Sequence, residues 1–271
     1  MNNQVNQIYK PENDIFGLPQ IYKDISFYPI KVNQFDLKEK LYQLFFQPKN
    51  YIPDRTILRM SYLKFILYVI QENIKGQSML QDLLEFLSEI TQTKDIDLKY
   101  EEHPENEEVF DKISLYILIN GVVFDELEFE NIREIVLEQN GSSIEYVESY
   151  DPSLEDSLKF MNMDNDTDFK DEFYGFCVLT GLSEIDTGNL SLYQFKNRFE
   201  REMMLLSYTI FKPLEVSGQI SSKHKGEEIF KHYLTHTKSD QSRYASIFID
   251  AKKYMKDTGL GEIGSDGFIK P

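Results

Sequence analysis

Two histidines four residues apart, His232 and His236 in the run HYLTH, come nearest to a metal site in this sequence. On a helix that spacing puts both imidazoles on one face. Zinc hydrolases built this way carry a glutamate directly after the first histidine as general base. Here Tyr233 stands in that place and no cysteine is near, so Glu227 or Glu228 would have to complete the ligand set. Asp164, Asp166 and Asp168 imitate the first three ligands of a calcium loop. The imitation ends there, because Phe169 occupies the position that needs glycine and Gly175 the position that needs a bidentate glutamate. GLGEIG at 259–264 has the glycines of a phosphate-binding turn, without a strong strand before it or a helix after it. The single cysteine, Cys177, sits in the apolar run EFYGFCVL, where a buried small hydrophobe is expected rather than a nucleophile. No serine elbow is present. The expectation is a protein with no catalytic, cofactor-binding or metal-ligating residues.

The elements that carry these residues follow from period and punctuation. Residues 1–14 are polar and read as a loose arm, and Ile15 to Val32 as two short strands around a turn at Lys23-Asp24. Pro19 and Pro29 confine those strands to edges. Phe35 to Phe46 is expected to be helical. Pro53-Asp54 opens an expected helix whose apolar residues, Ile57 to Ile70, cover most of its circumference, with Gly76 as its stop. Leu80, Leu83, Leu84, Leu87 and Ile90 define a second helix, antiparallel to it. The period then changes. Ile96 and Leu98 alternate as a strand does, and Ile113, Leu115, Ile117 and Ile119 alternate strictly up to Asn120-Gly121, the strongest short hairpin signal. Val122 to Phe124 is the returning strand, and Phe129, Ile132, Ile135 and Val136 share a helical face that ends at Asn140-Gly141. Asp151-Pro152 starts a helix to about Met161, and another runs from Glu172 to Thr180. Ser191 and Gln194 form a capping box for the longest helix, striped by Leu192, Phe195, Phe199, Met203, Leu206 and Ile210 and stopped by Pro213. Further helices are expected at Glu227 to Leu234 and within Tyr244 to Met255, with a glycine-rich end that is flexible or held by a partner. The fold class is therefore α+β and predominantly helical, with a small N-terminal β-hairpin and a second, central one packed on helices. Three segments follow: 1–94, 95–213 and a C-terminal tail at 214–271.

Charge narrows the partners. Against 29 basic residues stand 46 acidic ones, a net charge of −17, which repels nonspecific binding to a phosphate backbone. The excess is uneven. Residues 97–111 hold seven acidic side chains against Lys99, and 145–172 hold ten against Lys159 and Lys170, whereas 31–75 carry eight basic and four acidic residues. Such asymmetry suits internal pairing or an oriented contact with another protein. A helix-turn-helix reading of 172–212 would present Gln194, Lys196, Asn197, Arg198 and Arg201, but the flanking acids oppose DNA, and plain helix packing is the expectation. One cysteine, no leader-like start and no apolar run long enough for a bilayer point to a soluble, intracellular chain.

The stretch ILINGVVFDELEFENIREIVLEQN resembles a motif in tail-assembly proteins of large tailed bacteriophages of Gram-positive bacteria. There a strand and an Asn-containing turn lead into a helix reading F-x-x-I-R-x-I-[IV]-x-x-Q-N, matched here by Phe129, Ile132, Arg133, Ile135, Val136, Gln139 and Asn140. IFGLPQIYKDISFYPIKV is similar to their opening strands, FCVLTGLSEIDTGNLSLYQFKNRFERE to a helix pair, and EIFKHYLTH to a terminal segment in which Tyr233 replaces a tryptophan. Asp186-Thr187-Gly188 interrupts the pattern, and the tail beyond His236 is longer than the family's. The resemblance implies a non-enzymatic tail or baseplate assembly chaperone. It would act in the host cytoplasm and bind a tail component such as the tape-measure protein, with no nucleic acid, membrane or cofactor involved. The alternatives are a structural protein of the virion tail and, from another class, a metal-dependent enzyme on His232 and His236. The residues expected to meet a partner are Arg133, Gln139, Phe195, Phe199 and Met203, with a hairpin edge as a second surface.

Overall fold

A computed structural model describes residues 9–52, 54–70, 79–103, 112–151, 154–155, 169–217, 262–263 and 269–270. The N-terminal hairpin joins β1 (Gln20–Tyr22) to β2 (Ile25–Phe27), antiparallel, through the expected turn at Lys23-Asp24. Both turn residues are left-handed, at φ 48° and 63°. Lys23 offsets that strain by reaching the neighbouring hairpin: its Nζ pairs with Glu128, donates to the Val123 carbonyl at 3.2 Å and lies 5.2 Å from the centroid of the Phe124 ring. The arm before the hairpin departs from expectation. Pro11–Phe16 form a short helix, α1, entered through proline at its first position and closed by Gly17 at φ 65°.

Helix α2 (Phe35–Phe45) buries Leu37, Leu41, Leu44 and Phe45. The apolar helix expected from residue 57 to 70 is broken. Asp54 caps α3 (Arg55–Arg59) as its type suggests, but at Met60 and Ser61 the chain is extended, and Ser61 starts a second helix, α4 (Tyr62–Lys64). That helix continues with wider π pitch over Phe65–Ile70. The break has a tertiary cause. Tyr62 N, freed from a helical partner, donates to Glu130 Oε1 at 2.8 Å, and Lys64, nearly buried, pairs with Glu126 Oε1 at 3.0 Å. Two glutamates one turn apart thus hold the start of α4, where carboxylates also complement the helix dipole. Gly76 and the connection to the next helix lie outside the described residues.

Helix α5 (Met79–Thr91) buries Met79, Leu83, Phe86, Leu87 and Ile90 and packs against α2, β2 and the strand that follows it. That strand, β3 (Ile96–Glu102), pairs antiparallel with β4 (Ile113–Ile119), and β4 with β5 (Val122–Phe124), so the central hairpin is part of a three-stranded sheet in the order β3-β4-β5. Leu115, Ile117 and Ile119 point into the core as their alternation requires, and Asn120-Gly121 turn with φ 52° and 76°. Helix α6 (Glu126–Glu138) opens with a complete capping box between Asp125 and Glu128. It packs on β4, β5, α2 and α4 and is followed by α7 (Ile144–Glu148). Asp151 accepts from Leu154 N as a cap should, although most of the helix expected there lies outside the described residues. The remaining helices are α8 (Phe169–Thr180), α9 (Glu184–Gly188) and α10 (Leu192–Val216). Near the end, β6 (Glu262–Ile263) pairs with β7 (Ile269–Lys270), so part of GLGEIG is a strand rather than a phosphate-binding turn.

One hydrophobic cluster runs from Tyr22 through α2, α4, α5, the sheet and α6 to Phe195, drawing on residues from both sides of position 94. Its polar centre is Arg133 on α6, 1% exposed. The guanidinium carbon lies 3.3 Å from the Tyr62 ring centroid, Nη2 is 2.7 Å from Glu148 Oε1 on α7, and Nε and Nη2 reach the Phe45 carbonyl at 3.4 and 3.5 Å. The Glu148 contact is an ion pair rather than an aligned hydrogen bond; the other carboxylate oxygen, Oε2, accepts from Lys49 N at 3.1 Å. Removing one partner of such a pair strands the other in a dry site. Arg133→Ala is expected to lower the unfolding free energy by about 3–5 kcal/mol, and Arg133→Met with Glu148→Leu to recover much of it, read by denaturant titration. Gly121→Ala meets no neighbouring atom, so its cost should be backbone strain alone, about 1 kcal/mol.

Candidate docking surface

Helix α10 begins where its sequence says it should. Ser191 Oγ accepts from Gln194 N at 3.1 Å, and Gln194 Oε1 accepts from Ser191 N at 3.0 Å. The start is also stitched to the segment after β2: Val32 N donates to the Leu190 carbonyl, Leu192 N to Ile30, and Asn33 N to Gly188, all at 2.9–3.0 Å. The first turns of α10 then enter an aromatic cluster. Phe195 lies 4.9 Å from Phe176 and 5.7 Å from Phe169, and Phe199 stacks on Phe195 with the rings 2° from parallel.

Beyond Glu200 the helix changes character. None of its described residues from Arg201 onward is buried, although Met203, Leu205, Leu206, Ile210, Phe211 and Val216 are apolar and exposed. Met203 is 42% exposed, Ile210 50% and Val216 79%. Sixteen helical residues extend about 24 Å. The helix does not stop at Pro213 as expected but continues to Val216. A proline forfeits one backbone hydrogen bond and strains the preceding turn, a penalty most easily borne in a last turn. Exposed apolar side chains at positions 203, 206 and 210 form one stripe of a helix, the pattern by which helices enter hydrophobic grooves.

The five residues expected to meet a partner therefore divide. Met203 lies on the exposed stripe, Phe199 at its partly buried margin, and Phe195 in the aromatic cluster. Arg133, Gln139 and Phe195 are corrected: all three are buried and unavailable to a partner. Gln139 Nε2 donates to the Tyr28 carbonyl at 3.4 Å, and among the described residues its Oε1 accepts nothing. Beside it Asn140 Oδ1 accepts from Ile30 N at 3.0 Å while Nδ2 donates to the Val136 carbonyl at 2.7 Å. All seven residues of the F-x-x-I-R-x-I-V-x-x-Q-N run are thus core or pin the core. Sequence alone could not separate them from surface groups, because an arginine or glutamine on a helix is exposed by default.

Of the other chemistry, Cys177 is half-buried rather than buried, its thiol donating to Thr187 Oγ1 at 3.3 Å. Lys196 and Asn197, which a helix-turn-helix would turn outward, are tied to the Gly141 and Tyr193 carbonyls. His232, His236, Asp164 and Asp166 and the expected helices at 227–234 and 244–255 lie outside the described residues. Among the described residues no group of three metal-ligating side chains converges, and no helix is long and apolar enough to cross a membrane. A hollow lined by Asn33, Phe35, Lys40, Glu85, Ser88 and Glu89 has its one cation already paired, Lys40 Nζ lying 2.5 Å from Glu85 and 3.7 Å from Asp82.

Three carboxyl groups are held above their ordinary values, Glu134 among them through burial. Burial pushes Asp14, on α1, up to about 6. Burial, with the charges of Glu134 and Asp14 nearby, pushes Glu138 up to about 7. Tyr193 on α10 is raised by burial and by the charges of Asp14 and Glu138.

Comparisons with protein families, with curated proteins and with solved structures find no match. The surface has to be judged on its physics. Ser191→Ala should cost about 1 kcal/mol through loss of the cap, and fluorescence-free circular dichroism melts should show it as a lowered Tm with unchanged helix content at low temperature.

Proposed function

We propose that this protein is a non-enzymatic assembly factor, a chaperone that binds a component of a bacteriophage tail or baseplate through the apolar stripe of α10. The observation that carries the binding half of this reading is the run from Met203 to Val216, helical, apolar and without a buried described residue. A helix gains nothing from displaying such a face to water, and a partner groove would bury it. The phage half is supported by the order along the chain of the four segments similar to tail-assembly proteins. Because the matched residues around Arg133 are core, that similarity speaks to fold, and the surface that would select a partner lies elsewhere. The acidic balance agrees with a protein partner rather than nucleic acid.

The test is capture of tail proteins from phage-infected cells by the tagged full chain, with purified virions examined for the same chain. A chaperone should co-purify with a tail or baseplate protein and be missing from virions, whereas fixed stoichiometry in virions would make it a structural component instead. Met203→Glu with Ile210→Glu is expected to reduce capture at least tenfold while leaving the melting temperature within a few degrees, since neither side chain is buried. Undiminished capture would remove α10 from the interface.

A further inference from the structure

We infer that strand β3 is a dimerisation edge: two copies of this chain join their sheets by antiparallel β3–β3 pairing centred on Tyr100. The three-stranded sheet ends on β3 at one side and on β5 at the other. The β5 side is blunted, being three residues long with its Val123 carbonyl accepting from Lys23 Nζ at 3.2 Å. Strand β3 is seven residues long and contains neither proline nor glycine. Its pairing parity is fixed at both ends, where Asn120 N donates to the Asp95 carbonyl and His103 N to the Lys112 carbonyl. Odd-numbered residues therefore bond β4, and the backbone groups of Ile96, Leu98, Tyr100 and Glu102 face outward. Among the described residues only one of those groups is satisfied, Leu98 N donating to Asp97 Oδ1 at 2.9 Å.

Tyr100 stands opposite Leu115, on the core-facing side of the strand, yet is 66% exposed. A second Tyr100 brought across a twofold axis covers it, as aromatic cross-strand pairs do. Charge selects the occupant. Each copy carries −17, so association needs local complementarity. The other side of β3 bears Asp97, Lys99 and Glu101, all exposed, and then His103. With Tyr100 opposite Tyr100, Lys99 of each copy faces Glu101 of the other. Asp97 faces His103, which carries no negative charge, and Glu102 faces Leu98. Moving the centre by one residue sets Lys99 against Lys99 or Glu101 against Glu101, and like charges directly opposite are destabilising. The matched register forms about six backbone hydrogen bonds once Asp97 releases Leu98 N.

This pairing is separate from the α10 stripe, so its failure leaves the docking reading untouched. Sedimentation of the full chain, up to about 0.2 mM because one strand pair is a small interface, should show a monomer–dimer equilibrium. Lys99→Glu or Glu101→Lys should each weaken it about tenfold, and the two together should restore it, since the exchange keeps opposite charges face to face. In a Cys177→Ser background, Tyr100→Cys should oxidise to a covalent dimer, its Cα atoms being about 5.5 Å apart across the axis. Glu102→Cys should not, its Cα atoms being about 14 Å apart along the strands. If a charge variant loses the wild-type circular dichroism, crosslinking at position 100 decides. A chain monomeric throughout, a dimer indifferent to both charge reversals, or crosslinking no faster at position 100 than at 102 would overturn the proposal. So would a dimer abolished only by Met203→Glu with Ile210→Glu, which would place the contact on α10.

Discussion

Everything in the centre of this molecule is arranged around one buried cation. Arg133 enters the core on α6, and α2, α4 and α7 each contribute a group to it: the Phe45 carbonyl, the Tyr62 ring and the Glu148 carboxylate. A guanidinium has five donors in a fixed plane, so it dictates where its acceptors must sit. Tyr62 in turn donates its hydroxyl to the Leu44 and Gln47 carbonyls at 2.9 and 3.1 Å, and burial pushes that hydroxyl up, which keeps it a donor. Ordinary hydrophobic packing is non-directional. The polar set supplies direction, fixing how four helices cross.

The same helix face explains the broken apolar segment. Glu126 and Glu130 project from α6 toward the start of α4, Glu126 also accepting Leu115 N of β4 at 2.9 Å. Lys64 and Tyr62 N are the partners that make a break at Met60 worthwhile. Part of the basic excess of the 31–75 stretch is met by acids carried by α5 and α6, Lys40 by Asp82 and Glu85 and Lys64 by Glu126.

The proposed docking surface sits away from this centre. Phe129, Ile132, Arg133, Ile135, Val136, Gln139 and Asn140 are buried, and the end of that run helps secure the position of α10, through Asn140 on Ile30 and the ladder from Ile30 and Val32 to Leu192 and Leu190. Among the described residues, the distal half of α10 and the polar-docked α1 bury no apolar side chain. Both leave apolar side chains in water, the first as a continuous stripe and the second at Ile15 and Phe16.

Local chemistry was legible in the residues themselves. The turns at Lys23-Asp24 and Asn120-Gly121, the caps at Asp54 and Ser191, the alternation of β4 and the face of α6 depend on neighbours within a few positions, and their physics is complete at that range. Helix α1 was missed because a Pro-Glu-Asn-Asp run looks like a loop until Gln20 and Gln194 bond it. The break at Met60 was missed because an apolar run with helical period gives no sign of glutamates 65 to 70 residues later in the chain. Burial of Arg133 and Gln139 was decided by tertiary structure alone. Composition places a charge in water unless distant residues supply every partner it needs, and the Phe45 carbonyl, Tyr62, Glu148 and the Tyr28 carbonyl come together only when the helices pack.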